Sequence, residues 1–256
     1  MLIAVNAGNS HVLLGGYEED AQVFAASIAT EPKQTGDDYA CKLQQVFGLY
    51  GVSCERIRGA VLSSVVPGMV SVLENALRLL GVTDVIEVSS GVKTGLNIRS
   101  EQPRQVGSDR VAAAVAARAK GKLPCVVVCL GTATTFTVLD AAGALVGSAI
   151  TAGVRLSVEA LREQAAQLPS VALEAKNESV LARNTVDAMR VGAVYGAAAM
   201  VDGMVNRFAE ALEQTPHVVV TGDSAPLVLP YLHARCEYDK NLLLDGLHQI
   251  WKRNRS

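Results

Sequence analysis

One pattern is written twice in this chain, and it constrains the fold more than any other feature. Residues 2–5 and 12–14 are short apolar runs, Leu-Ile-Ala-Val and Val-Leu-Leu, separated by Asn6-Ala7-Gly8-Asn9-Ser10. Residues 125–130 and 135–139 repeat the plan around Gly131-Thr132-Ala133-Thr134, with β-branched residues on the return run. Short apolar runs joined by Gly/Asn/Ser or Gly/Thr turns read as β-hairpins. Helical material follows each: 38–50, with Tyr39, Leu43, Val46, Phe47 and Tyr50 at helical spacing, and 156–166. The chain is expected to be built twice, as two similar α/β halves at 1–118 and 119–256.

Between the hairpins, 60–66 reads as a buried strand ended by Pro67-Gly68, and a helix is expected over about 70–80. After a polar stretch, a helix starts near 106–110, with Ser108 as its N-cap and Asp109 in the first turn, where the helix dipole favours a carboxylate. A long helix is expected over 185–212. Interior glycines cost about 1 kcal/mol each, so Gly192, Gly196 and Gly203 predict close packing of that helix, within the chain more often than at a dimer face, a choice the sequence leaves open. The residues from His217 read as a strand ending in the turn Thr221-Gly222-Asp223, and 241–253 reads as the closing helix.

The 256 residues are 50% apolar, 19% charged and only 4% aromatic, enough for one or two domains packed from small aliphatics, as α/β layers are. A net charge of −2 leaves no basic face to follow a phosphate backbone, which argues against nucleic acid as a partner. Lys252, Arg253 and Arg255 sit where cations complement a helix C-terminus. No run approaches the roughly 18 apolar residues that span a bilayer, and the first residues lack the charged n-region of a signal peptide. No membrane partner and a cytoplasmic location are expected. Five cysteines without a Cys-x-x-Cys pair argue against a disulfide framework or a zinc site. They read as reduced core cysteines, with Cys125 and Cys129 on one face of a strand. His11 reads as a surface or packing residue, and His217, His233 and His248 lack metal-ligand spacing.

The P-loop and Rossmann glycine signatures are absent, as are the zinc-protease and nucleophile-elbow motifs. What remains is the pair of hairpins, whose glycines let the backbone approach a phosphate and whose N–H and hydroxyl donors cradle it. Facing hairpins of this kind grip the β- and γ-phosphates in actin-like ATPase folds. The chain resembles the type III pantothenate kinases of the acetate-kinase/Hsp70/actin superfamily from end to end. The resemblance rests on Asn-Ala-Gly-Asn-Ser at 6–10, Ser-Val-Val-Pro at 64–67, the segment 98–110 ending Val-Gly-Ser-Asp-Arg, and Cys-Leu-Gly-Thr-Ala-Thr-Thr-Phe at 129–136. It continues through Gly-Val-Arg-Leu-Ser at 153–157, Gln-Leu-Pro at 167–169, Arg-Asn-Thr at 183–185, Thr-Gly-Asp at 221–223 and Leu-Asp-Gly-Leu at 244–247.

The resemblance implies an α/β, actin-like (ribonuclease H-like) duplicated fold, each half a mixed five-stranded sheet flanked by helices. It implies ATP-dependent phosphorylation of pantothenate, toward coenzyme A, in a homodimer needing Mg²⁺ and a monovalent cation, K⁺ or NH₄⁺. By the same resemblance Asp109 is the base for the attacking hydroxyl, and Ser100, Gly107, Arg110 and Thr185 lie at the substrate. Asn6, Gly8, Asn9, Ser10, Gly131, Thr132, Thr134, Thr221 and Gly222 hold the nucleotide phosphates.

Four departures cut across that pattern. The family's two hairpin aspartates, associated with Mg²⁺, are Asn6 and Cys129 here; its pantothenate-side tyrosine is Ser100; and the second glycine of the adenosine loop is Asp223. An amide and a thiol are poorer Mg²⁺ ligands than carboxylates. Asp20, Asp37, Asp38 and Asp140 are not spaced to replace them. Two readings follow, and whether the chain is an enzyme stays open between them. One is a working pantothenate kinase; the other is a catalytically impaired or silent paralogue acting as a ligand-binding or regulatory dimer. A transcriptional role finds no support in charge or motif.

Overall fold

The computed structural model describes residues 1–174 and 179–255, which form two compact units. The first opens with β1 (Leu2–Ala7), β2 (His11–Glu18) and β3 (Ala21–Ala29), followed by α1 (Gly36–Leu49), β4 (Gly59–Ser64), α2 (Met69–Leu79), β5 (Val85–Glu87) and α3 (Ser108–Ala119). Its sheet has the order β3-β2-β1-β4-β5, with β1 antiparallel to β2 and parallel to β4. The central strands are buried along nearly their whole length, as strands covered on both faces are, whereas edge strand β3 alternates. Ile3 and Val5 pack on Tyr39, Leu43 and Phe47 of α1 and on Leu73 of α2. A capping box starts α1: the Thr35 hydroxyl accepts from the Asp38 N–H at 3.3 Å, and the Asp38 carboxylate accepts from the Thr35 N–H at 2.9 Å.

The second unit comprises β6 (Cys125–Leu130), β7 (Ala133–Leu139), β8 (Leu145–Ala152), α4 (Val154–Gln164), α5 (Thr185–Leu212), β9 (His217–Thr221), α6 (Ala225–Val228) and β10 (Cys236–Tyr238). Its sheet, β10-β9-β6-β7-β8, repeats the first one, with β6 antiparallel to β7 and parallel to β9. Val126, Val128 and Leu130 face the core shared with Ala198 and Val201 of α5. The duplicated actin-like plan is thus present as two mixed five-stranded sheets.

The expected single cut after residue 118 does not describe the units. The closing helix α7 (Leu242–Arg255), placed by sequence in the second half, belongs to the first, and residues 97–100 belong to the second, where Ile98 bridges Leu145. The reason is apolar: Leu244, Leu247 and Ile250 of α7 cover Leu2, Ala4 and Val61, the face of the first sheet that α1 and α2 leave open. The helix approaches α3 so closely that a Cβ at Gly246 would lie 1.8 Å from the Ala112 carbonyl oxygen.

Two other expectations are corrected. Among the described residues nothing lies within 4 Å of a Cβ built at Gly192, Gly196 or Gly203, so none of them packs closely against these glycines. None of the five cysteines forms a disulfide among the described residues, but only Cys125 is buried; Cys41 is exposed and Cys54, Cys129 and Cys236 are half-buried.

A charged cluster ties edge strand β10 to the segment entering β6. Glu237 lies 2.6 Å from Lys120, 2.9 Å from Lys122 and 3.1 Å from His217. Hydrogen bonds from Lys120 and Lys122 hold its carboxyl at about 2, from an ordinary 4.5. A depressed carboxylate pKa stabilises the fold fully above the unfolded value, and that stability is lost as pH falls through the folded one. Glu237→Gln is therefore expected to cost on the order of 1 kcal/mol at pH 7. Urea midpoints of the natural and variant chains should converge between pH 4.5 and 2; a gap that persists at low pH contradicts this account.

Candidate active site

Side chains alternate along β1, so Leu2, Ala4 and Asn6 share the face that α3 and α7 cover. Asn6 comes last, at the carboxyl end of the strand, with Ser63 of β4 as its cross-strand partner. It is 4% exposed, and its Oδ1 has no hydrogen-bond partner among the described residues. Beyond it the first hairpin is braced from the end of β3. Thr30 donates its hydroxyl to the Gly8 carbonyl at 2.7 Å and its N–H to the Ser10 carbonyl at 3.0 Å, leaving Asn9 and Ser10 exposed at the tip.

The first turn of α3 is the other part of this half-site. Ser108 does not cap it: its hydroxyl accepts from Ser63 Oγ at 2.8 Å and donates to the Ser64 carbonyl at 3.2 Å. Asp109, the second residue of the helix, accepts the Arg110 N–H on Oδ1 at 2.8 Å. That oxygen lies 2.6 Å from where a side chain at Gly107 would begin, so only glycine leaves the carboxylate this position. Burial pushes the Asp109 carboxyl above its usual range, against the pull of the Arg110 N–H and guanidinium. Burial also lowers the Arg110 guanidinium from its free value, an effect the Asp109 charge opposes. A carboxylate raised toward neutrality beside a guanidinium suits proton abstraction next to a bound anionic group.

The second half-site is built mostly from backbone. Cys129 stands two residues before Gly131, as Asn6 stands two before Gly8, and its partner on the parallel strand is Thr221. Three segments converge on this hairpin. A Cβ at Gly153 would lie 2.2 Å from the Gly131 carbonyl, and one at Gly222, where φ is +104°, would lie 2.4 Å from the Leu130 carbonyl. The Gly153 N–H donates to Thr132 and the Ser224 N–H to Leu130, at 3.0 and 2.9 Å. Gly153 is also the N-cap of α4 and offers no side-chain cap, so first-turn N–H groups of that helix remain for an anion at the hairpin. Thr134 is 1% exposed, with a hydroxyl oxygen unpartnered among the described residues. Gly153 was not among the residues expected at the site, although it opens a motif of the resemblance; its role shows only when its contact with residue 131 is seen.

The remaining expected residues sit apart from these backbone contacts. Ser100 is exposed in the segment that bridges Leu145, and Thr185 is exposed as the first residue of α5. Asp223 is exposed and accepts weakly from the Ser224 hydroxyl at 3.4 Å. Of the acids that might have replaced the hairpin carboxylates, Asp38 is spent in the α1 cap, Asp140 accepts two turn N–H groups, and Asp20 pairs with Lys252. No group of three or more His, Cys, Asp or Glu is placed to hold a metal among the described residues. Asn6 offers one neutral oxygen and Cys129 a thiol, a donor set that does not fit a protein-held Mg²⁺.

Each unit carries the same strand–hairpin–strand plan, which defines the class as a duplicated actin-like fold. Solved structures share that fold. The activator of 2-hydroxyisocaproyl-CoA dehydratase from Clostridium difficile, with bound ADPNP, superposes at TM-score 0.56 and 13% identity over 99% of this chain and 96% of that one. Component A of (R)-2-hydroxyglutaryl-CoA dehydratase from Acidaminococcus fermentans does so at 0.56 and 12%, over 100% and 99%. In sequence, the profile of type III pantothenate kinase matches residues 2–207. Proteins named type III pantothenate kinase from Pelobacter propionicus and Brevibacillus brevis are 38% and 39% identical, each over 100% of both chains. The chain belongs to the type III pantothenate kinase family.

Gly153→Ala is expected to destabilise the protein by about 1–3 kcal/mol through overpacking against the hairpin backbone. It should also weaken ATP binding measured by calorimetry. An alanine variant with unchanged melting and ATP affinity would remove Gly153 from the cradle.

Proposed function

We propose that this protein transfers the γ-phosphoryl group of ATP to the primary hydroxyl of pantothenate, giving 4′-phosphopantothenate and ADP in the cytoplasm. The observation that carries this reading is the Gly107–Asp109–Arg110 turn, where a partly buried carboxylate of raised pKa stands beside a guanidinium. Phosphoryl transfer asks the protein chiefly for positioning and charge stabilisation. Arg110 pairs with the pantothenate carboxylate. The pantothenate hydroxyl oxygen attacks the γ-phosphorus, the bond to the β–γ bridging oxygen breaks, and the hydroxyl proton passes to Asp109. In each unit, hairpin N–H and hydroxyl groups are donors of the kind that neutralise phosphate oxygens.

A second reading, a slow or silent ligand-binding dimer, is favoured by Asn6 and Cys129, which remove two negative charges from the equivalent hairpin positions. Each 1.4 kcal/mol withheld from the transition state costs about tenfold in rate. Turnover of the natural chain beside Asn6→Asp/Cys129→Asp separates the readings, with pantothenate and ATP binding followed by calorimetry. Under the first reading the natural chain turns over briskly and the double variant gains less than tenfold. Under the second, both ligands bind, natural turnover is marginal and restoration raises it by orders of magnitude. Replacing K⁺ by Na⁺ in the same assay tests the monovalent-cation requirement, which equal rates in the two salts would exclude.

A homodimer belongs to the same proposal. Ala188, Gly192, Gly196, Ala199 and Gly203 line an exposed face of α5, and the glycines there have open space around them. Small residues at this spacing let a second helix approach closely, and Ile150, Leu156 and Leu161 add exposed apolar surface in the same unit. Light scattering is expected to give twice 26.9 kDa for the natural chain and a monomer for Gly196→Lys. A variant that stays dimeric places the interface elsewhere.

A further inference from the structure

A serine at a helix start ordinarily lends its hydroxyl to a first-turn N–H. Ser108 does not. Its hydroxyl accepts from Ser63 Oγ and donates to the Ser64 carbonyl, so both hydroxyl protons are committed between the end of β4 and the start of α3. Ser63 is 1% exposed, so bulk water does not compete for the bond, and losing the partner would strand a buried hydroxyl. The next residue is Asp109, whose Oδ1 is fixed by the Arg110 N–H at 2.8 Å. The orientation of that carboxylate therefore follows the backbone at the start of α3.

We propose that the Ser63–Ser108 hydroxyl pair is a positioning device that pins the first residue of α3 to β4 and so holds the Asp109 carboxylate where the attacking hydroxyl meets it. The inference rests on the reading of Asp109 as the base. It also gives the first unit a continuous path from hairpin to base: Asn6 neighbours Ser63 across the strand pair, Ser63 bonds Ser108, and Ser108 precedes Asp109 in the chain. Backbone movement at Ser108 carries Asp109 with it, and misplacement by about 1 Å costs on the order of a hundredfold in rate.

The test compares Ser63→Ala, Ser108→Ala, their combination and Ser108→Thr, each made in the natural chain and in the Asn6→Asp/Cys129→Asp background. Each alanine variant is expected to lower kcat about ten- to a hundredfold with KM for ATP unchanged. The double variant should lose no more than either single one, because both remove one device. Ser108→Thr, which keeps the hydroxyl, should recover the rate. Alanine variants with undiminished kcat, or with additive losses that Ser108→Thr does not recover, overturn the positioning role. Asp109→Asn, measured alongside, overturns the base reading instead if it retains turnover; absence of turnover in both backgrounds overturns the two together.

Discussion

The parallel pairing of each central strand with the strand that returns beside it, β1 with β4 and β6 with β9, is the constraint on which the rest depends. Strands covered on both faces tolerate few polar groups until they end. The polar residues therefore gather where the pairs finish, Asn6 beside Ser63 and Cys129 beside Thr221. Open α/β sheets bind ligands at these carboxyl ends because backbone donors and helix N-termini also emerge there. Gly8 and Gly131 follow directly on β1 and β6, and the first turn of α3 is tied to the end of β4 through Ser108.

The two half-sites draw on different chemistry. The second hairpin is assembled by glycine contacts between Gly131, Gly153, Gly222 and Leu130, and its donors are backbone groups that no side-chain replacement removes. The first adds side chains with defined partners: Asn6, Ser63, Ser108 and Asp109. The amide of Asn6 and the thiol of Cys129 leave these backbone contacts unchanged and bring no carboxylate charge to the hairpins.

Much of this was legible in the order of residues. Both hairpins, the strand before Pro67-Gly68, the helix over 185–212 and the turn carrying Asp109 are encoded locally, by turn chemistry and by apolar periods of 2 and 3.6. The positions of α7, Gly153 and the α5 glycines were not. Each depends on what stands opposite in space: α7 crosses back to an apolar face built more than 180 residues earlier, and Gly153 meets a hairpin carbonyl 22 residues upstream. For the α5 glycines, close packing inside the chain was favoured over a dimer face because helix-interior glycine usually implies a close neighbour, and none stands there among the described residues.

By itself, then, the sequence determined the duplicated plan, the hairpins and the identity of the residues that bear charge or lack it, since these follow from local pattern and composition. Only the tertiary structure decided that the last helix completes the first unit and that Ser108 binds Ser63 in place of capping its own helix. It also decided that Asp109 is buried enough to hold its proton more tightly than a surface carboxylate. Burial, partner choice and close approach are properties of elements distant in the chain, and local pattern carries no record of which of them will meet.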